Sequence, residues 1–228
     1  MKKKYLPPIA IGLALLIFGA GSLMAEKALS SRIASRVYEQ LPNATDVKVS
    51  IPLSNIPSDI ASDSIKSAQI NISQSSDDST KISASLEISA RNIAKSKPNL
   101  IGTLEVTATI PAATILTQAE FADAEIVGNT LQVSAGSGGL GRASLIPKYS
   151  NNQLYFELKS VSVFGSEIPA STLPADVQDQ IKSRSVRDLD IPKGMKVESV
   201  SISSKGLSLK LSGSNIQIGN FGSIFKDK

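Results

Sequence analysis

Between Lys81 and Arg91 apolar and polar residues alternate without a break. Ile82, Ala84, Leu86, Ile88 and Ala90 fall on one side, and Lys81, Ser83, Ser85, Glu87, Ser89 and Arg91 on the other. A period of two sends successive side chains to opposite faces of a strand, so the segment predicts a strand with one dry and one wet face. The pattern returns in Leu104, Val106, Ala108 and Ile110, and again in Leu207, Leu209 and Leu211. Shorter matches are Val47-Val49-Ile51, Ile70-Ile72, Leu131-Val133, Leu154-Phe156-Leu158 with Val161-Val163, Val200-Ile202 and Ile216-Ile218. One-sided strands imply an antiparallel sheet, because parallel sheets are covered on both faces. The 36 serines of the chain supply the solvated face.

Helical spacing interrupts the strands in three places. Lys27 to Leu41 carries Ala28, Leu29, Ile33, Val37 and Leu41 on one side and is ended by Pro42-Asn43. Pro111 to Ala124 groups Ile115, Leu116 and Ala119, with proline at a first-turn position. Leu173 to Ser185 carries Val177 and Ile181 and is followed by Arg184 and Arg187, where the helix dipole favours cations. The expected architecture is α+β: a long curved antiparallel sheet of about eight strands with two or three helices against its apolar face.

The first residues bear on location. Lys2, Lys3 and Lys4 precede Tyr5 to Ala25, 21 residues without a charge, long enough for roughly 30 Å of helix across a bilayer. The positive-inside rule puts the lysines in the cytoplasm and the body outside. A cleaved signal peptide, ending near Ala20-Gly21-Ser22 or Leu23-Met24-Ala25, is the competing reading. The uncleaved anchor is preferred because the apolar run exceeds the usual ~7–15 residues of a signal core. The expected organisation is an anchor or signal over 1–25, one extracytoplasmic domain over 26–218 and a flexible tail over 219–228.

Composition excludes more chemistry than any motif suggests. With no histidine and no cysteine, the usual zinc sites, haem and iron–sulfur ligation and every Ser-His-Asp arrangement are out of reach. From Glu26 onward 21 basic residues face 20 acidic ones, so no electrostatic footing for nucleic acid exists. Gly136-Ser137-Gly138-Gly139-Leu140-Gly141 matches the dinucleotide fingerprint in letters, but a strand follows where a helix is required, and a hairpin loop explains it. Ser223 to Lys226 is an isolated S-x-x-K, and the aspartates at 77, 78, 188 and 190 match no calcium loop. No catalytic residue, cofactor or metal ion is expected. What remains is a surplus of aliphatic surface on a sheet with ten aromatics and short helices to cover it. Such a sheet closes on itself or leaves an apolar groove.

The C-terminal half reads Leu189-Asp190-Ile191-Pro192-Lys193-Gly194-Met195-Lys196-Val197, then Lys205-Gly206-Leu207-Ser208-Leu209-Lys210-Leu211-Ser212-Gly213. This Pro-x-Gly, strand, Gly-led strand and Gly order resembles the LmeA-like phospholipid-binding family of actinobacterial envelope proteins. Asp46 to Val49, Ile101 to Ile110 leading into Pro111 to Gln118, and the apolar N-terminus follow the order of that family. The resemblance covers roughly Arg32 to Ile218. It implies a tubular lipid-binding fold similar to the domains related to bactericidal/permeability-increasing protein, export, and association with membrane lipid. The groove candidates are then Ile82, Leu86, Ile88, Leu104, Val106 and Ile110, with Ile115 and Leu116 from the adjacent helix. The expected partners are phospholipid and the membrane. The alternative is an anchored envelope scaffold with a closed core, no ligand and an envelope protein as its partner.

Overall fold

A computed structural model describes residues 30–31, 34–35, 38, 44–52, 63–74, 84–94, 100–118, 123–135, 141–189 and 191–217. The alternating segments become strands: β1 (Ala44–Ser50), β2 (Ser64–Gln74), β3 (Ala84–Ala94), β4 (Leu100–Pro111), β6 (Thr130–Ala135), β7 (Gly141–Ser150), β8 (Gln153–Val163), β11 (Met195–Ser203) and β12 (Gly206–Gln217). Three short strands without a period-two signal join them, β5 (Glu125–Val127), β9 (Ser166–Pro169) and β10 (Arg187–Asp188). Every register described is antiparallel. Hydrogen bonding divides the strands between two sheets where the sequence implied one. The first has the order β1-β2-β3-β4-β12-β11, and the second β10-β8-β7-β6-β5 with β9 also on β8.

Helices are few and shorter than their sequence signals. Helix α1 (Ala112–Gln118) starts directly after Pro111, which is the last residue of β4 and not part of a first helical turn. It ends before Asp123, which takes φ +56° in a turn. Helix α2 (Ala175–Ser185) follows a 3-10 turn at Ala170–Thr172, with Pro174 at its N-cap. Of the helix expected over Lys27 to Leu41, the described residues Ser30, Ser31, Ala34, Ser35 and Tyr38 are helical; its apolar stripe lies outside the described residues. The segments 1–25 and 219–228 also lie outside them. No helix among the described residues is long and apolar enough to cross a membrane.

The chain gathers into two compact units. The first holds the described residues up to Ala108 with Ile191–Glu198 and 210–217; the second holds Thr109–Asp190 and Ser199–Leu209. In the first unit, aliphatic rows run across three strands, Val47–Ile72–Leu86 and Val49–Ile70–Ile88, with Ala68 opposite Ala90. Ile70, Ile72, Leu86, Ile88 and Ala90 are fully buried. Slipping any strand by one residue would turn its whole row to solvent, so these rows fix the register. The alternation changes phase after Ala90, because Asn92 adopts φ +54° and Ile93 becomes the next buried residue. Gly102 makes room for this, since a Cβ there would stand 2.9 Å from the Cβ of Asn92. At the β1 edge the Val47 N–H donates to the Tyr38 hydroxyl at 3.2 Å.

In the second unit the rows are Leu131–Leu145–Leu158 and Val133–Ala143–Val161. The step from Leu158 to Val161 is odd-numbered because the register shifts at Ser144/Leu145, leaving an extra residue on β8. Gly136–Gly141 follows β6, and β7 begins at Gly141 and pairs back, Gly141 opposite Ala135. The fingerprint is thus followed by a strand, as a hairpin requires.

The glycines of the C-terminal signature have separate physical roles. Met195 N–H donates to Pro192 O at 3.0 Å across a turn in which Gly194 has φ +90°. A Cβ on Gly213 would sit 2.8 Å from Gly194 O, so the turn and β12 meet backbone to backbone. Gly206, at φ +130°, is tighter still: a Cβ there would lie 1.9 Å from Ile110 O. Beside it Ala112 N–H donates to Lys205 O at 3.2 Å, tying the β11–β12 turn to the junction of β4 and α1. Gly206→Ala should therefore lower stability by about 3 kcal/mol or more. Gly128→Ala, at φ +60° with open space around it, should lose only about 1 kcal/mol. Urea unfolding of the two variants checks this, and equal losses would contradict the close approach.

Candidate functional site

Seven of the eight groove candidates are described, and they divide between the two units. Leu86 and Ile88 on β3, with Leu104 and Val106 on β4, belong to the first unit and are 0–2% exposed. A side chain facing an empty channel would retain accessible surface toward it, so these four are enclosed by protein on all sides. Ile110 at the end of β4, and Ile115 and Leu116 on α1, belong to the second unit and are half-buried. Ile82 lies outside the described residues.

The second unit has an aliphatic floor and an incompletely covered rim. Its floor is Leu131, Val133, Ala143, Leu145, Leu154, Leu158, Ala170, Ile202 and Leu207, all buried. Ile110, Ile115 and Leu116 pack against this floor, joined by Phe156, Val161, Leu173, Ile181, Leu189 and Val200, which are also partly buried. Among the described residues the partly buried apolar side chains on this cluster outnumber the buried ones, 12 to 9. That leaves aliphatic surface within reach of a molecule able to cover it. The period-two and helical readings marked Ile110, Ile115 and Leu116 as site residues and left Phe156, Leu173 and Ile181 unmarked. Ile181 lies in the segment read as helical, and its apolar character there was the available signal; Leu173 is extended and precedes α2.

Helix α2 is the least apolar part of this cover. None of its residues is buried; Ile181 packs inward while Val177 is exposed. Polar ties hold it instead. The Phe156 N–H donates to Ser185 Oγ at 2.9 Å, and that hydroxyl lies within donating reach of Phe156 O at 3.3 Å and Lys182 O at 3.1 Å. One serine thereby satisfies backbone groups of β8 that lie between its pairings with β10 and β9. Lys182 Nζ stands 4.6 Å from the centroid of the Tyr155 ring, a cation–π contact. Arg187 Nη1 donates to Val186 O at 2.8 Å, close to the last carbonyls of α2. At the other end Gln178 Nε2 donates to Ala170 O at 2.9 Å.

Charge is sparse in this arrangement. Lys48 is held above the usual lysine range by its hydrogen bond to Asp46 and that carboxylate's charge. Glu198 is held below the usual carboxylate range by the Ser212 hydroxyl and then by Lys196. Both groups are exposed and belong to the first unit. Among the described residues no group of three or more Asp and Glu is placed to hold a metal ion. Chemically, the rim of the second unit offers methyl and methylene contacts and one aromatic ring.

A family model described as LmeA-like phospholipid-binding matches residues 20–212. No curated protein and no solved structure matches.

Ser185→Ala should loosen α2 alone. Losing one partly buried hydroxyl partner lowers local stability by about 1 kcal/mol, which speeds amide exchange in α2 roughly fivefold. Amides of β7 should be unaffected, and an unchanged α2 would show that the Ser185 tie does not hold the helix.

Proposed function

The chain belongs to the LmeA-like phospholipid-binding family, and from that premise we propose that it is a membrane-anchored, extracytoplasmic protein that holds or hands on phospholipid and makes or breaks no bond. Carrying the reading is the match of a phospholipid-binding family to most of the chain; the half-covered aliphatic rim of the second unit supports it. Acyl chains would lie against Ile110, Ile115 and Leu116, with Phe156 and Ile181 beside them. The uncharged segment Tyr5 to Ala25 supports the anchor and the outward placement of the body.

Magnitudes support a non-covalent carrier. A buried methylene contributes about 0.8 kcal/mol, so about ten of them match the ~8 kcal/mol of a micromolar complex. Two acyl chains supply more than that, leaving a surplus against the lost freedom of the lipid. The head group needs no buried charge if it stays in water.

A second reading, an envelope scaffold with a dry core, is favoured by one observation: the full closure around Leu86, Ile88, Leu104 and Val106. Uptake of labelled phospholipid from vesicles separates the two. Leu116→Asp and Ile181→Asp should each reduce uptake about tenfold or more, whereas Val177→Asp, on the exposed side of α2, should leave it unchanged. Circular dichroism of each variant verifies folding. Undiminished uptake in both rim variants would move the ligand off this rim. Uptake should also be flat from about pH 5.5 to 8.5, because the chain has no histidine to titrate there; a midpoint in that window would point to an ionisable group in the site.

A further inference from the structure

Three hairpins of the second unit, β5–β6, β7–β8 and β8–β9, are closed by two-residue turns that use left-handed backbone. Gly128-Asn129 joins β5 to β6 with Gly128 at φ +60°, and Asn151-Asn152 joins β7 to β8 at φ +52° and +57°. Glycine and asparagine take this conformation most readily. The turn between β8 and β9 is different: Phe164 stands at φ +49° and Gly165 at φ +80°, with Val163 opposite Ser166. Phe164 is 82% exposed, the most exposed large apolar side chain among the described residues. The position is therefore unfavourable twice, in its backbone conformation and in the hydration of the ring. Below the tip the hairpin is braced, since Ser160 Oγ donates to Glu167 Oε1 at 2.6 Å. From Ser160 to Ser166 the sequence carries no charge.

We infer that Phe164 is an interfacial anchor that inserts into a phospholipid bilayer and holds the second unit at the membrane while lipid enters or leaves; this rests on the carrier reading. The occupant follows from area and charge. A stable protein interface buries about 800 Å² on each partner, and one ring at the apex of a narrow hairpin supplies about 150–250 Å². A bilayer asks for no matching surface. Aromatic side chains favour the membrane–water interface, and the serines and glycine around the ring bring no charge to be desolvated.

The chain has no tryptophan, so a full-length Phe164→Trp protein carries a single emission reporter. On vesicles of phosphatidylcholine and phosphatidylglycerol containing brominated lipid, its emission should move to the blue and be quenched. A full-length Asn151→Trp protein, with the reporter at the other end of β8, should show neither change, although the same N-terminal segment tethers it. Phe164→Asn, a residue suited to this turn, should slow lipid transfer from vesicles about tenfold and leave uptake of dispersed short-chain phospholipid unaltered. Emission from Phe164→Trp that vesicles leave unchanged, or transfer by Phe164→Asn at the native rate, overturns the anchor. Uptake of dispersed phospholipid by the same proteins keeps the two ideas apart. Uptake with a reporter that stays in water defeats the anchor alone, and an inserted reporter without uptake defeats the carrier reading on which the anchor's purpose rests.

Discussion

Ile72 lies between Val47 and Leu86, and Ile70 between Val49 and Ile88, so three strands are held in register by aliphatic side chains that must meet. The rest of the architecture depends on this constraint. With no disulfide available and ion pairs such as Lys48–Asp46 and Lys148–Glu157 lying in solvent, keeping one face of each strand dry is the main source of stability. The opposite faces carry serine, which hydrates without the crowding of long charged side chains. In the second unit the same rule builds Leu131–Leu145–Leu158 and then meets a bulge on β8 that sets Val161 opposite Ala143 in the next row.

Backbone close approaches complete what the rows begin. Gly206 lets the β11–β12 turn press on the carbonyl of Ile110, where β4 passes into α1. That contact places Ile115 and Leu116 over the aliphatic floor, because α1 starts at the next residue after Pro111. A short helix with only two inward aliphatics and a polar helix tied through Ser185 cover the floor partially. Ile110, Ile115 and Leu116 are left half-buried by this cover, whereas Leu86, Ile88, Leu104 and Val106 are closed.

The longer strands could be read in the sequence because their signal is local: Leu104, Val106 and Ile110, or Leu207, Leu209 and Leu211, alternate over a whole strand. The division into two sheets could not, since the order β4-β12-β11 depends on pairings about a hundred residues apart. Nor could β9, four exposed residues with no dry face that owe their strand form to pairing with β8. Of the site, Ile110, Ile115 and Leu116 were legible, as apolar residues at strand and helix spacing. Whether each lay in a closed row or on an open rim was not, because burial depends on what other elements bring over it. Phe164 escaped for a related reason: in the sequence it is one more apolar residue after Val163, and the backbone, at φ +49°, makes it a turn tip.

The proposed role rests on apolar surface that water leaves easily. In the reading proposed above, such surface holds a phospholipid. Native mass spectrometry of the full-length protein, purified in mild detergent and followed by organic extraction and lipid identification, tests it most directly. The account predicts a stoichiometric phospholipid mass on the folded chain. A bare mass that stays bare after incubation with phospholipid vesicles would contradict it.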